Sequence, residues 1–180
     1  MRVIQSMEEK YLLPALELVE QVFTEFDCAE EAAMVRRLVE EIRAKEYYIP
    51  ELELIMVEEG EVIGYVMFSR FHLGGKYTDA LLLLSPAAVK TSCQRQHISK
   101  DLIEYGFDKA RELGFKAVIV EGNPRNYNAR GFVTSADHGI LAAPSVGLPA
   151  PECLMVKELI PGALEQIRGE VDYSMYEALR

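Results

Sequence analysis

The chain has 180 residues, of which 49% are hydrophobic, and this is the ordinary size and composition of one globular domain. Its formal net charge of −10 argues against a nucleic-acid partner, because such binding depends on Lys and Arg side chains that displace counterions from phosphates. The longest apolar run, residues 80–84, is far shorter than the roughly 20 residues of a membrane-spanning helix, so we expect no membrane partner.

The first half of the chain predicts a strand, two helices and a β-hairpin. Residues 2–5 form the strand, and apolar residues then recur every three or four positions in two stretches, 12–23 and 34–42, as on amphipathic helices. Two runs rich in β-branched and apolar residues follow, 52–57 and 62–71. They flank an acidic tip that contains Gly60, which is typical of a hairpin turn.

The middle of the chain predicts a strand, a helix and a second strand. Residues 80–89 form a long strand, in which Pro86 implies a bulge or a break in pairing. Apolar residues between Ile98 and Leu113 follow helical spacing until Gly114 stops the helix, and residues 117–120 form the next strand. This order requires a right-handed crossover and parallel pairing of the two strands.

The last third predicts less regular structure. Residues 127–132 are interpreted as a short helix that leads into a strand, residues 141–151 as a loop marked by three prolines, and residues 153–159 as a final strand. No repeat or linker interrupts the pattern. We therefore expect residues 1–180 to be a single α/β domain.

Cysteine and histidine spacing argues against disulfides and metal. Three widely spaced cysteines, Cys28, Cys93 and Cys153, have no pairwise ligand spacing, and the three histidines are far apart in the sequence. The N-terminus lacks the basic and apolar stretches of an export signal. We expect free thiols, no bound metal and a cytoplasmic protein.

The polar loop at residues 90–97 leads into the N-terminus of a predicted helix. The first N–H groups of a helix have no intrahelical acceptor and the helix dipole adds positive charge, so this end favours a phosphate, with Arg95 as an added cation. Any connection from a strand to a helix shares this geometry. The loop alone therefore does not establish a phosphate site.

The amino-acid sequence around this loop resembles the acetyl-CoA core of GNAT N-acetyltransferases. The segments that carry the resemblance are "LLLLSPAAV", "QRQHIS" and "YNARGF", and together with "CLMVKELIPGAL" they are similar to bacterial YhbS-like predicted acetyltransferases over nearly the whole chain. The resemblance implies a mixed, mostly antiparallel sheet with a splayed parallel strand pair and helices on both faces. It also implies acetyl-CoA as co-substrate, bound at these positions: Pro86, Ala87, Ala88, Val89, Gln94, Arg95, Gln96, His97, Ile98 and Ser99.

Two residues depart from the family loop, which usually reads Gln/Arg-x-x-Gly-x-Gly/Ala. His97 and Ser99 stand where the family has small residues. A Cβ at position 97 restricts close approach of phosphate, although His tolerates left-handed backbone better than most residues. Three outcomes are open: a tolerated surface replacement, a phosphate contact through the ring N–H, and impaired cofactor binding.

Acetyl transfer to an amine requires a proton donor, a stabilised oxyanion and a route for the amine proton. The resemblance assigns the donor to Tyr127, in the family pattern Tyr-x-x-x-Gly-Phe, with packing of the short helix as the alternative. The oxyanion donor is expected to be a main-chain N–H near Ala87 or Ala88. For the base, the sequence offers Asp79, Glu121, His138 or a chain of waters.

The leading hypothesis is an acetyl-CoA-dependent N-acetyltransferase that acts on a primary amine of a small molecule, a peptide N-terminus or a lysine. The runner-up is a non-catalytic module that binds CoA or another ligand, and a third hypothesis is a structural domain without CoA affinity. Cys93 as a nucleophile and Tyr47 and Tyr48 as pocket residues are less favoured than packing roles. The sequence leaves a homodimer open.

Overall fold

The computed structural model describes residues 1–180 and contains four α-helices and nine β-strands, several of them joined by short 3₁₀ turns. The helices are α1 (Leu12–Phe26), α2 (Ala29–Ala44), α3 (Ile98–Glu112) and α4 (Pro124–Asn128). The strands are β1 (Arg2–Ser6), β2 (Glu53–Glu58), β3 (Glu61–Arg70), β4 (Leu81–Val89), β5 (Ala117–Glu121), β6 (Val133–Thr134), β7 (Ile140–Ala142), β8 (Leu154–Glu158) and β9 (Gly169–Val171). None of the helices is long and apolar enough to cross a membrane.

Seven strands form one sheet in the order β1-β2-β3-β4-β5-β8-β6. Every neighbouring pair in this sheet is antiparallel except β4 and β5, which are parallel and are joined through α3. The predicted mixed, mostly antiparallel sheet is therefore confirmed. The parallel pair lies in the middle of the sheet, where both of its faces are covered.

The parallel pair opens towards the C-terminal ends of its strands. Pairing extends only from Leu81 opposite Ala117 to Leu83 opposite Ile119, although β4 runs on to Val89. On the other side of β4, the single residue Met67 of β3 lies opposite two residues, Ser85 and Pro86. This two-against-one register is a β-bulge, which bends the bulged strand, and it confirms the irregularity expected at Pro86.

Helices cover both faces of the sheet, as expected. One apolar cluster contains the inner faces of α1 and α2 and extends to Tyr173 and Tyr176 near the C-terminus. The second cluster lies between the opposite face and α3. Gly106 lets α3 approach the sheet closely, because a Cβ at this position would overlap Cε2 of Phe68.

The structure corrects the sequence interpretation of the last third. The short helix is Pro124–Asn128 rather than residues 127–132, because the Asn123 side chain accepts the Arg125 N–H at 3.0 Å and Pro124 occupies the first turn. The predicted loop at 141–151 begins inside β7, and β8 is not the final strand, since β9 follows and pairs with β7 in parallel. Three-residue strands are too short to produce a readable alternation.

Candidate active site

Two cavities meet at Tyr127, which lines both of them. The first, called here the loop cavity, has a volume of about 550 Å³ and lies between the 90–97 loop, the start of α3, the end of α1 and α4. The second, called the C-terminal cavity, has a volume of about 940 Å³ and lies between α1, α2, the opened ends of β4 and β5, and residues near the C-terminus. Both volumes fall in the range of ligand-binding clefts.

Most of the residues predicted to bind the cofactor line the loop cavity. They are Ala87, Ala88, Val89, Gln94, Arg95, His97, Ile98 and Ser99. Pro86 lines the C-terminal cavity instead. Gln96 lines neither, and its side-chain carbonyl accepts a hydrogen bond from Arg2 of β1. The loop thus brings eight of the ten predicted positions to one cleft.

The register of β3 and β4 determines which main-chain groups face the gap beside β5. Lys90 N–H donates to the Ile63 carbonyl at 2.9 Å. Because hydrogen-bonded pairs alternate along an antiparallel ladder, the main-chain N–H and carbonyl of Ala88 are hydrogen-bonded to Tyr65. The main-chain groups of Ala87 and Val89 then face the gap. The Val89 carbonyl accepts from the Gln94 side chain at 2.7 Å, which ties the loop to the strand. Of the two candidates for an oxyanion donor, only Ala87 has its N–H free.

The turn into α3 adopts left-handed backbone at two residues. Arg95 has a φ of 62°, and His97, the N-cap of α3, has a φ of 62° and a ψ of 18°. Glycine adopts this region without steric cost, which gives a physical reason for the glycine that the family loop has at this position. The His97 side chain is exposed at the edge of the loop cavity.

The donors of the loop cavity suit an anionic ligand. The first N–H groups of α3 have no acceptor in the helix, and Arg95 and Arg130 line the same cleft. The Nε of Arg130 is buried without a hydrogen-bond partner, while one of its terminal nitrogens donates to the Asn126 carbonyl at 2.7 Å. A buried guanidinium N–H without an acceptor is costly, and a phosphate oxygen would satisfy it. Sequence reasoning missed Arg130, whose signal was its place three residues after Tyr127, just beyond the end of α4.

Packing contacts of its ring hold Tyr127 at the junction of the two cavities. The ring packs edge-on against Phe132 with 5.6 Å between centroids, and it lies so close to Gly122 that a Cβ there would be 2.7 Å from Cε2. Burial raises the pKa of the Tyr127 phenol above its ordinary value, and the charge of Arg130 opposes this only in part. The phenol therefore carries its proton at neutral pH.

The structure brings only one of the three candidate bases to Tyr127. Asp79 is 96% exposed, pairs with Arg70 at 3.0 Å and lines neither cavity. His138 lines a separate surface cleft beside β8. Glu121, at the end of β5, lines the C-terminal cavity together with Tyr127, and its carboxylate accepts the hydroxyl of Tyr173 at 2.9 Å.

The two cavities differ in charge. The loop cavity has two arginines, Arg95 and Arg130, against Asp27. The C-terminal cavity has one cation, Arg180, against four carboxylates, Asp27, Glu31, Glu121 and Asp172. None of these four forms an ion pair. The Ser174 N–H lowers the pKa of Asp172, which is ionised at neutral pH. The arrangement favours an anion in the first cavity and a cation in the second.

The remaining candidates have packing positions. Cys93 lines the loop cavity with its sulfur 3.9 Å from the Ser92 hydroxyl. Tyr47 packs edge-on against Tyr176, and Tyr48 donates its hydroxyl to the buried Glu53. No group of three His, Cys, Asp or Glu side chains is arranged to hold a metal ion.

Comparison with known proteins identifies the family. The Acetyltransferase (GNAT) family matches residues 16–136. A protein of Escherichia coli K12 named as an uncharacterized N-acetyltransferase, YhbS, is 32% identical over 117 residues, which are 64% of this chain and 67% of that protein.

Two solved structures share the fold. E. coli YhbS in complex with CoA superposes with a TM-score of 0.79 at 24% identity, over 96% of this chain and 89% of that one. A GNAT acetyltransferase of Brucella melitensis in complex with acetyl-CoA gives a TM-score of 0.74 at 21% identity, over 100% and 99% of the two chains. This chain belongs to the GNAT family of acetyltransferases, because that family matches residues 16–136, YhbS is 32% identical to it, and its sheet opens at the bulged β4.

Proposed function

We propose that this protein is an acetyl-CoA-dependent N-acetyltransferase that transfers the acetyl group directly to a primary amine. The observation that carries the proposal is the meeting of two oppositely charged cavities at Tyr127, next to the free main chain of Ala87. A reaction between an anionic acetyl donor and a cationic acceptor requires both ligands to reach one point from different sides. The CoA and acetyl-CoA complexes of the structural neighbours support the choice of donor.

The donor fits the loop cavity by its chemistry. Its pyrophosphate would bind the N-terminal N–H groups of α3 with Arg95 and Arg130, and its pantetheine amides match the Ala87 carbonyl and the Val89 N–H, which face the gap. The thioester then reaches the junction at Tyr127. Eight of the ten residues expected to bind acetyl-CoA line this cavity, and the cofactor-binding roles of all ten stay predictions.

The residues at the junction can carry the complete proton balance. Glu121 takes one proton from the incoming ammonium, and the free amine attacks the carbonyl carbon of the thioester. The Ala87 N–H donates to the oxyanion. When the carbon–sulfur bond breaks, Tyr127 gives its proton to the thiolate. The second proton of the nitrogen restores the phenol, and Glu121 releases the first to solvent.

The acceptor is a cationic amine. An aliphatic amine is protonated at neutral pH, and the four carboxylates of the C-terminal cavity attract such a cation and repel an acceptor that carries carboxylate or phosphate groups. Aromatic and aliphatic walls, including Phe23, Met34 and Leu38, suit the carbon chain of the amine. The three free cysteines favour the reducing cytoplasm as its compartment.

Acetyl-CoA is expected to raise the melting temperature of the protein. A ligand at about 100 times its Kd stabilises the folded state by about 2.7 kcal/mol, which shifts the melting temperature of a domain of this size by about 5–10 °C. Acetylpantetheine, which lacks the nucleotide and its phosphates, should shift it much less. No shift at millimolar acetyl-CoA contradicts CoA binding altogether.

A panel of amines with acetyl-CoA then tests catalysis. Turnover of cationic amines, followed by release of CoA thiol, is the expected result, with amines that also carry carboxylates or phosphates as poor substrates. A melting shift without turnover of any amine supports the non-catalytic CoA-binding module instead.

The His97→Gly variant is expected to be more stable than the wild-type protein by about 1 kcal/mol, because glycine removes the cost of left-handed backbone at this residue. The neighbouring Gln96→Gly serves as control, since Gln96 does not have a positive φ and its side chain bonds to Arg2, so this change should destabilise. Thermal denaturation measures both. If both changes destabilise the protein equally, the interpretation that the His97 backbone is strained is wrong.

The same variant separates the roles of the imidazole. Tighter binding of CoA by His97→Gly indicates that the side chain crowds the phosphates, and weaker binding indicates that it contacts them. Unchanged affinity identifies His97 as a tolerated surface replacement.

A further inference from the structure

The last nine residues, 172–180, form a wall of the C-terminal cavity and are called here the C-terminal segment. Side chains at the C-terminal end of α2 and at Lys45, the residue that follows it, hold this segment in place. Glu41 accepts the N–H groups of Glu177 at 2.8 Å and Ala178 at 2.9 Å, and Lys45 donates to the Met175 carbonyl at 2.8 Å. The segment is therefore a fixed part of the cavity and not a loose tail.

Tyr173 reaches from this segment to Glu121. The tyrosine is 8% exposed, its ring packs against Phe71 with 5.8 Å between centroids, and its hydroxyl lies 2.9 Å from Oε1 of Glu121. Its φ of 56° places the backbone in the left-handed region, which is unfavourable for a residue with a Cβ. The surrounding contacts hold Tyr173 in this conformation and so direct its hydroxyl to the carboxylate.

Glu121 needs such a partner to have one orientation. It is the last residue of β5, beyond the last residue pair between β5 and β4, and it is exposed to the cavity. A glutamate side chain at such a place samples several rotamers, and a single fixed donor selects among them. Burial, followed by the charge of Glu121, raises the pKa of Tyr173, so the phenol keeps its proton and acts as donor.

We propose that Tyr173 is a positioning residue, whose hydroxyl holds the carboxylate of Glu121 in the orientation that accepts the proton of the acceptor amine. The inference rests on the proposed function and adds to it a link between the C-terminal segment and catalysis. The alternative is that the bond only fastens the segment to the sheet. A structural role and a positioning role predict different kinetics.

Tyr173→Phe keeps the ring against Phe71 and removes the hydroxyl. We expect kcat/KM for the amine to fall about tenfold or more, because a hydrogen bond to a charged group is lost, with the KM of acetyl-CoA unchanged. The matched control is Tyr176→Phe, in the same segment, since the Tyr176 hydroxyl bonds to the Arg70 carbonyl at 2.8 Å and lines neither cavity. This control should lose stability but retain kcat/KM per folded molecule.

A double-mutant cycle with Glu121→Gln gives the decisive readout. If Tyr173 acts through Glu121, Tyr173→Phe should cause no further loss of kcat/KM in the Glu121→Gln background. Independent, multiplying losses overturn the proposal, as does a Tyr173→Phe protein with wild-type kcat/KM. A wild-type protein that binds acetyl-CoA but acetylates no amine overturns the proposed function and the positioning role with it, and this outcome is visible before any variant is made.

Discussion

Replacing Tyr127 by phenylalanine is expected to lower turnover by about 10²-fold or more at similar affinity for acetyl-CoA. The change removes the only side-chain proton donor placed where the two cavities meet, while the ring keeps its contacts with Phe132 and Gly122. Folding stability should change little for the same reason. Steady-state kinetics with a cationic amine, together with the melting temperature, measure both quantities.

The pH dependence provides a second check on Tyr127. Because burial raises the pKa of the phenol above its ordinary value of about 10, the group stays protonated across pH 7–9, and the loss in the phenylalanine variant should be of similar size throughout this range. Tyr105→Phe is the control, since Tyr105 lies on α3 outside both cavities. Preserved turnover with a lowered melting temperature would make Tyr127 a packing residue.

The sheet and its opening were predictable because local signals determine them. Strand, helix and strand in succession force a parallel crossover, and Pro86 cannot donate to a ladder, so a bulge next to it follows from its covalent structure. The free N–H groups at the start of α3 were predictable for a similar reason, since every helix N-terminus presents such groups. These features depend on residues close in sequence.

The rest of the site depends on contacts that no local pattern encodes. Tyr173 meets Glu121 across 52 residues, and it does so only because β9 pairs with β7 and α2 holds the C-terminal segment. Strands of three residues give no periodic signal. Likewise, the register with β3 leaves the N–H of Ala87 rather than that of Ala88 free, which the sequence of β4 alone does not reveal.

The sequence alone did not distinguish the three candidate bases, because each of them follows or precedes a core strand. Asp79 precedes β4 and so lies at the opposite end of the parallel pair from Glu121, while His138 lies in a separate surface cleft beside β8. Glu121 ends β5 directly before Gly122, against which the ring of Tyr127 packs, and both residues line the C-terminal cavity. The distinction therefore comes from topology rather than from residue type.

Glu121→Gln is expected to lower kcat by about 10²-fold, because the amide cannot take the proton of the ammonium. Glutamine has nearly the same shape and its carbonyl can still accept the Tyr173 hydroxyl, so the fold and the C-terminal cavity should be preserved. The KM of a cationic amine should also rise, since one of the four carboxylates of the cavity is lost.

Asp79→Asn is the matched control for Glu121→Gln, because it removes the same charge from the protein at a site outside both cavities. Unchanged kcat and KM in this control, with both altered in Glu121→Gln, locate the effect in the cavity rather than in the net charge of −10. A Glu121→Gln protein with raised KM but wild-type kcat would instead make Glu121 a binding carboxylate. The amine proton would then leave through water, and Tyr127 would be the only side chain that transfers a proton in the reaction.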